Sequence, residues 1–361
     1  MREILTLCVA MIVAVGPAPA QGPAASPDYL VWVASEATDR IALVRFNPAT
    51  GAKVEREFTI GLLPTDPDGP HGLTVSPDRR FLYITTAHGQ PFGFLWKIDA
   101  VTNAVVGRVE LGMFPATVQL TPDGAFAYLV NFNVHGEMVP SSVSIVGTDD
   151  MLEIARVETC TMPHGSRINP QGTKQYSACM MDDQMVEIDT RTFGVARRFS
   201  VAKGADAAHT AHVPTCSPTW AQPSADGSRV YVACNKSNEI LDIDVARWSL
   251  ARRLPAADGV YNLAVTHDGA LLLATNKRSQ SVSVFELATG KELARIPTKR
   301  RIVHGVVVSP DDRYAFVSVE GIGSQPGTVE VIDLRTRTAV ASADVGQMAG
   351  GIDFWKTEGG P

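Results

Sequence analysis

One turn recurs along this chain and limits what it can fold into. It closes an apolar run and opens a β-rich one, as in Val75-Ser-Pro-Asp78 before Phe81-Leu-Tyr-Ile, Leu120-Thr-Pro-Asp123 before Phe126-Ala-Tyr-Leu, and Val308-Ser-Pro-Asp311 before Tyr314-Ala-Phe-Val. Aligned on the turn residue, the six copies fall at Asp78, Asp123, Gln171, Asp226, Asp268 and Asp311, spaced 45, 48, 55, 42 and 43 apart. That is the period of a four-stranded propeller blade. Within a unit, strand A leads to the turn and strand B follows it. Strand C ends in Ile-Asp or similar (Ile98-Asp99, Ile188-Asp189, Ile243-Asp244, Ile332-Asp333). A turn such as Ala288-Thr-Gly290 then leads to strand D. No convincing amphipathic helix interrupts the pattern, and an all-β chain of even repeats manages its edges by closing into a ring.

Six full units begin near 69, 113, 160, 215, 259 and 302. Residues 29–61 supply three more strands, and Gly350-Gly-Ile-Asp-Phe-Trp355 reads as an isolated innermost strand. The expectation is a seven-bladed β-propeller over 29–361 whose N- and C-terminal strands share one blade, with residues near 350–355 pairing with 29–35. The units resemble the YVTN family of β-propeller repeats, the YncE-like extracytoplasmic proteins. The resemblance is carried by Pro70-His-Gly-Leu-Thr-Val-Ser-Pro-Asp78, Leu82-Tyr-Ile-Thr-Thr86, Val230-Tyr-Val-Ala-Cys-Asn235 and Val329-Glu-Val-Ile-Asp333. It implies the fold and an extracytoplasmic setting. It implies no single activity, because this family and its lactonase-like and haem d1-domain-like relatives host unrelated functions.

Residues 1–20 read as a secretory signal: Arg2, then an apolar run from Ile4 to Gly16, then Ala18-Pro-Ala20 before Gln21. The run is too short to span a bilayer. Cys8 lies inside it without a lipobox, so a lipoprotein is not expected. A flexible segment over 21–28 and a periplasmic or secreted product follow, with no membrane span. A net charge of −6 and no long basic run argue against nucleic acid and anionic membranes. Lys299-Arg-Arg301 reads as a solvated basic loop.

Beyond the signal there are four cysteines. Cys179 and Cys234 each lie eight residues after a turn residue, at the end of strand B, and Cys160 and Cys216 each precede a strand A. Those positions are neighbours in an antiparallel pair, so an oxidising compartment predicts the disulfides Cys160–Cys179 and Cys216–Cys234, each within a blade. Thiolate ligation of a metal beside the histidines is the rival reading.

Seven residues before the turn, at the start of strand A, the six copies carry His71, Ala116, His164, Thr219, Tyr261 and His304. Three histidines in six equivalent slots is far above what 8 histidines in the whole chain would place there by chance. They belong to blades 2, 4 and 7, close to threefold around the axis, and glycine follows each (Gly72, Gly165, Gly305). Three neutral imidazoles at a channel mouth suit copper or zinc, with ring nitrogens expected within about 3–4 Å of one another. The plainer reading has each ring bonded to a carbonyl or water. His88 and His135 fall in B–C loops and His209 and His212 in the insertion before blade 5, all on the same face. His267 lies in an A–B turn on the other. His88, His135, His209, His212, Tyr261 and Arg167 are candidates for the surroundings of the site. Glu137 and Met138 stand beside His135, and Trp220 beside the inner ring of positions.

The chain has no Gly-x-Ser-x-Gly, Walker loop, His-Glu-x-x-His, Cys-x-x-Cys-His or EF-hand pattern. The reading is an exported propeller holding a metal ion at its axis, as a carrier or for small-molecule chemistry. Its rivals are a scaffold binding a protein on the same face and a lactonase- or lyase-like enzyme. Catalytic residues are not assigned.

Overall fold

The computed structural model describes residues 26–62, 66–88, 92–202 and 213–359. The signal call and His209 and His212 lie outside them. Blade 1 takes β1 (Asp28–Ser35), β2 (Arg40–Asn47) and β3 (Gly51–Thr59) from one end of the chain and β28 (Ala349–Glu358) from the other. Blade 2 is β4–β7 (Pro70–Val75, Phe81–Thr86, Phe94–Asp99, Val105–Glu110) and blade 3 is β8–β11 (Pro115–Leu120, Phe126–Asn131, Pro140–Gly147, Leu152–Thr161). Blade 4 is β12–β15 (Pro163–Ile168, Lys174–Cys179, Gln184–Asp189, Gly194–Ser200) and blade 5 is β16–β19 (Pro218–Pro223, Arg229–Cys234, Glu239–Asp244, Ser249–Pro255). Blade 6 is β20–β23 (Val260–Val265, Leu271–Asn276, Ser281–Glu286, Glu292–Pro297) and blade 7 is β24–β27 (Val303–Val308, Tyr314–Val319, Gly327–Asp333, Thr338–Val345). All seven are four-stranded and antiparallel, so the chain is a seven-bladed β-propeller.

The recurring turn is fixed by its own side chains. Ser76 Oγ donates to Asp78 Oδ1 (2.5 Å), which also accepts from the Arg80 amide, and the Phe81 amide donates back to Ser76 Oγ (2.9 Å). Thr121 with Asp123, Ser224 with Asp226, Thr266 with Asp268 and Ser309 with Asp311 repeat the bond. The residue after each turn aspartate is left-handed, and glycine fills that place at Gly124, Gly227 and Gly269. Blade 4 has no Ser-Pro-Asp; there Asn169 Oδ1 accepts from the Thr173 and Lys174 amides (2.8 and 3.0 Å).

Middle strands are buried on both faces, whereas outer strands such as β3 and β7 alternate between half-buried and exposed. The core lies between neighbouring blades. Tyr29, Val31 and Phe46 of blade 1, for example, pack on Tyr314, Phe316 and Val329 of blade 7. Ring closure is made by β28 against β1, with Val31 opposite Phe354 and Trp32 opposite Asp353. Hydroxyls tie three of the innermost strands to the preceding blade: Thr117 and Thr219 Oγ1, on innermost strands β8 and β16, donate to the carbonyls of His164 and Tyr261 at 2.8 Å each, and Thr275 Oγ1, on the second strand β21, donates to that of His304 at 2.9 Å.

Both expected disulfides are present, Cys160–Cys179 and Cys216–Cys234. One placement differs. Strand β11 runs on to Thr161 and so contains Cys160, which makes Cys160–Cys179 a bridge from the outer strand of blade 3 into blade 4. Among the described residues no helix is long and apolar enough to cross a membrane.

Candidate functional site

Each innermost strand starts after a residue in the left-handed region. These are Gly69, Phe114, Met162, Ser217, Gly259, Ile302 and Met348, with φ from 47° to 74°. The shared bend brings the second residue of every innermost strand to one level on the axis. That inner tier reads Gly350, His71, Ala116, His164, Thr219, Tyr261 and His304 from blade 1 to blade 7. Four rings and three small residues share it. The glycines after the histidines permit the crowding: a Cβ on Gly165 would lie 2.2 Å from the Trp220 ring, and one on Gly72 2.7 Å from the Ala116 carbonyl.

Around this tier stands a second one, the residues that directly follow each strand B: Glu36, Ala87, Phe132, Met180, Asn235, Lys277 and Glu320. Its charged members set the protons of the inner rings. His71 Nδ1 bonds to Glu36 Oε2 at 2.6 Å. Glu36 Oε1 also takes a bond from His88 Nε2. Burial would raise the Glu36 carboxyl, but the two histidines hold it well below the usual carboxylate range. The Glu36 bond raises the His88 imidazole against its burial.

His164 donates from Nδ1 to the Thr219 carbonyl (3.0 Å), which leaves its Nε2 lone pair to accept from the Tyr261 hydroxyl (2.9 Å). Burial lowers His164 to about 3, so the ring is neutral. His304 is pushed well below its ordinary value by burial and then by the Lys277 charge. Its Nε2 stands 3.9 Å from Glu320 Oε1. Lys277 Nζ is 2.9 Å from the same Glu320 oxygen and 4.2 Å from the centroid of the Tyr261 ring. Burial pulls the ammonium down, yet Tyr261 and Glu320 leave it above the ordinary lysine value.

The three histidines therefore meet at the axis, with the His71 ring centroid 5.4 Å from that of His304 and 6.4 Å from that of His164. Two imidazoles sharing one tetrahedral ion at about 2 Å per bond have centroids about 5 Å apart. The His71–His304 pair fits that spacing, while the His71–His164 pair stands wider. The wider pair has a physical cause, since both nitrogens of His164 are already engaged. Among the described residues no three His, Cys, Asp or Glu side chains stand ready as a metal cage.

Beneath the rings lies a cavity of about 30 Å³ lined by His71, His304, Arg167, Trp220 and Asn262. His71 Nε2, His304 Nδ1, Trp220 Nε1 and Asn262 Oδ1 are buried there without a hydrogen-bond partner. Arg167 rests on the Trp220 ring (4.4 Å) and donates to the Ser166 carbonyl, and burial lowers it to about 10. The cysteines are disulfide-bonded and so are not ligands.

His88 and His135 lie on the same face, ring centroids 5.5 Å apart and both against Phe114. His267 is at the opposite mouth, bonded to Asp312 (2.8 Å). Glu36, Lys277 and Glu320 were not singled out from the sequence. Their signal was positional, since each is the first residue after a strand B, the place from which the B–C loops carrying His88 and His135 begin.

No family model matches the chain, and neither does any curated protein. Solved structures do. A chain of hydrazine synthase from Kuenenia stuttgartiensis superposes with a TM-score of 0.63 at 22% identity, over 81% of this chain and 91% of that one. A protein from Desulfotomaculum acetoxidans DSM 771, described as functionally unknown, gives 0.71 at 16% identity over 90% and 98%. At these identities the likeness extends to the fold alone.

Proposed function

We propose that this is an exported, YVTN-like propeller that binds one transition-metal ion, copper or zinc, at the centre of its histidine face. The carrying observation is the pair of buried imidazole nitrogens, His71 Nε2 and His304 Nδ1, left without partners on a cavity of about 30 Å³. Room for about two water-sized spheres suits one ion and a water. Each ring has a carboxylate on its other nitrogen's side, Glu36 for His71 and Glu320 for His304. At 2.6 Å the Glu36 bond fixes the His71 tautomer and makes that imidazole a better ligand, while Glu320, 3.9 Å from His304, acts on it through charge alone. His164 does not line that cavity, and it serves as the third ligand for an ion at the cavity's axial end once its Nε2 exchanges the Tyr261 hydroxyl for the ion. Glu36, Glu320 and Asp353 offset the charges of Arg167 and Lys277 nearby. The protein's role in this reading is binding or carriage, and the two disulfides suit the oxidising compartment that the N-terminal sequence predicts.

Calorimetric titration of the untagged mature protein with Zn²⁺ and Cu²⁺ tests the reading. One ion per chain is expected, with copper bound more tightly than zinc. His71→Ala and His304→Ala should each abolish most of the binding. Equal uptake by the double variant refutes the site.

A further inference from the structure

Beside Tyr261 the histidine face opens into a basin of about 580 Å³. We infer that this basin binds a small monocarboxylate with an apolar body, held by Arg301 and Lys277 next to the axial histidines. The inference deepens the reading of this face as the ligand-binding one, but it does not require the metal.

Charge is the first argument. The chain as a whole carries −6, yet the basin wall has three cations, Lys277, Arg278 and Arg301, against the single carboxylate of Glu320. The three cations are not equivalent. Arg278 is spent on the wall itself, bonded to Asp258 Oδ1 (3.0 Å), the Asn235 carbonyl (2.7 Å) and Asn235 Oδ1 (2.9 Å). Lys277 has given one N–H to Glu320 and leans over the Tyr261 ring. Arg301 has no side-chain partner among the described residues. Its neighbours in the basic cluster do: Lys299 and Arg300 both pair with Asp344, at 3.3 and 2.9 Å. The solvated loop expected from the sequence is thus divided, with two cations tied down and one left facing the basin.

Ligand class follows from what the wall can accept. A free guanidinium fork matches a carboxylate with two parallel hydrogen bonds. Glu320 in the same wall penalises a second negative charge, which disfavours phosphate and dicarboxylates. Met180, Ile302 and Ile322 give the remaining wall an apolar surface, and a basin of this size is in the range of small-molecule sites. The floor is Tyr261 and Thr219, so a bound molecule lies against the hydroxyl that engages His164.

The test is calorimetric titration of the whole mature protein, freed of metal with a chelator, using hexanoate and its neutral isostere hexanamide. Hexanoate should bind at concentrations of about 10 mM or below, a measurable range for so small a ligand. Hexanamide and the exposed-site variant Arg301→Gln should each weaken binding by about tenfold or more. Ile322→Asp should do the same by adding a negative charge, while Arg295→Gln on an outer strand should change nothing. Equal binding of hexanamide, an unaltered Arg301→Gln, or no heat with hexanoate each overturns the inference. Because the protein is metal-free, failure here leaves the axial metal site standing, and failure of metal binding leaves this result intact.

Discussion

The channel has two mouths, made from opposite ends of the same innermost strands. Around the far mouth five blades repeat one hydroxyl-to-aspartate bond, and the turns differ little from blade to blade. Around the histidine mouth neighbouring positions share almost nothing: Gly350 stands beside His71, Ala116 beside His164, Thr219 beside Tyr261. The far mouth also encloses a space, about 470 Å³ edged by the turn prolines and by Thr74, Gln119, Gln222 and Asp353. Size therefore does not separate the two. What separates them is that the far mouth repeats what every blade needs in order to turn, whereas the histidine mouth breaks the repeat with titratable and aromatic groups. In a repeat protein the positions that depart from the repeat are where function is free to act.

Four experiments press on that contrast. The largest effect belongs to the covalent staples, which lie only on the histidine side. Replacing Cys160 and Cys179, or Cys216 and Cys234, by serine pairs should cost about 3 kcal/mol per bridge for sequence separations of 19 and 18, read by urea unfolding. A loss below about 1 kcal/mol would mean that the strands hold that mouth without help. Next, His71→Ala should weaken zinc binding by about a hundredfold, or about 2.7 kcal/mol, while His267→Ala at the far mouth leaves it unchanged. Equal effects would erase the distinction between the mouths.

Acid supplies the third. His164, at about 3, and His304, well below its ordinary value, bind protons more weakly folded than unfolded. Their stabilisation is complete above about pH 6.5 and is lost as pH falls below it, by up to about 1.4 kcal/mol per pH unit for each ring. In the folded protein these two rings stay neutral over the same interval, so their capacity to ligate a metal should persist until the pH falls well below 6.5. Denaturant midpoints at pH 7 and pH 5 should converge in His164→Gln relative to the parent; parallel curves would show that the ring is not buried neutral. The smallest effect is that of Tyr261→Phe. It should cost about 1 kcal/mol by leaving His164 Nε2 without a donor, yet raise zinc affinity by freeing that nitrogen. Unchanged affinity would remove His164 from the ligand set.

Blade number, ring closure and both cysteine pairs were legible in the sequence, because each rests on a spacing that the turn aspartates index. The convergence of His71, His164 and His304 was legible for the same reason. How far each ring was free was not. That depends on Glu36, Glu320, Lys277 and Tyr261; glutamate follows strand B in only two of the seven blades, and lysine there and tyrosine in the inner tier occur once each, too few to carry a periodic signal. Cys160 was assigned to blade 4 rather than blade 3 because β11 is 10 residues long where most strands have six, and nothing in Glu158-Thr-Cys-Thr161 marks the extra length.

The pairing of β28 with β1 also imposes an order in time. Tyr29, Val31 and Trp32 are made early, yet their inner neighbours, residues 349–358, are made some three hundred positions later. Until those residues arrive, the first blade is a three-stranded sheet with a bare inner edge, and blades 1 and 7 have no shared partner. An interrupted or clipped chain therefore remains an open horseshoe whose unpaired strand edge invites proteases and aggregation. Completion of the molecule is thereby announced by the disappearance of that edge, so a finished ring and an unfinished one are distinguishable to whatever surveys the compartment.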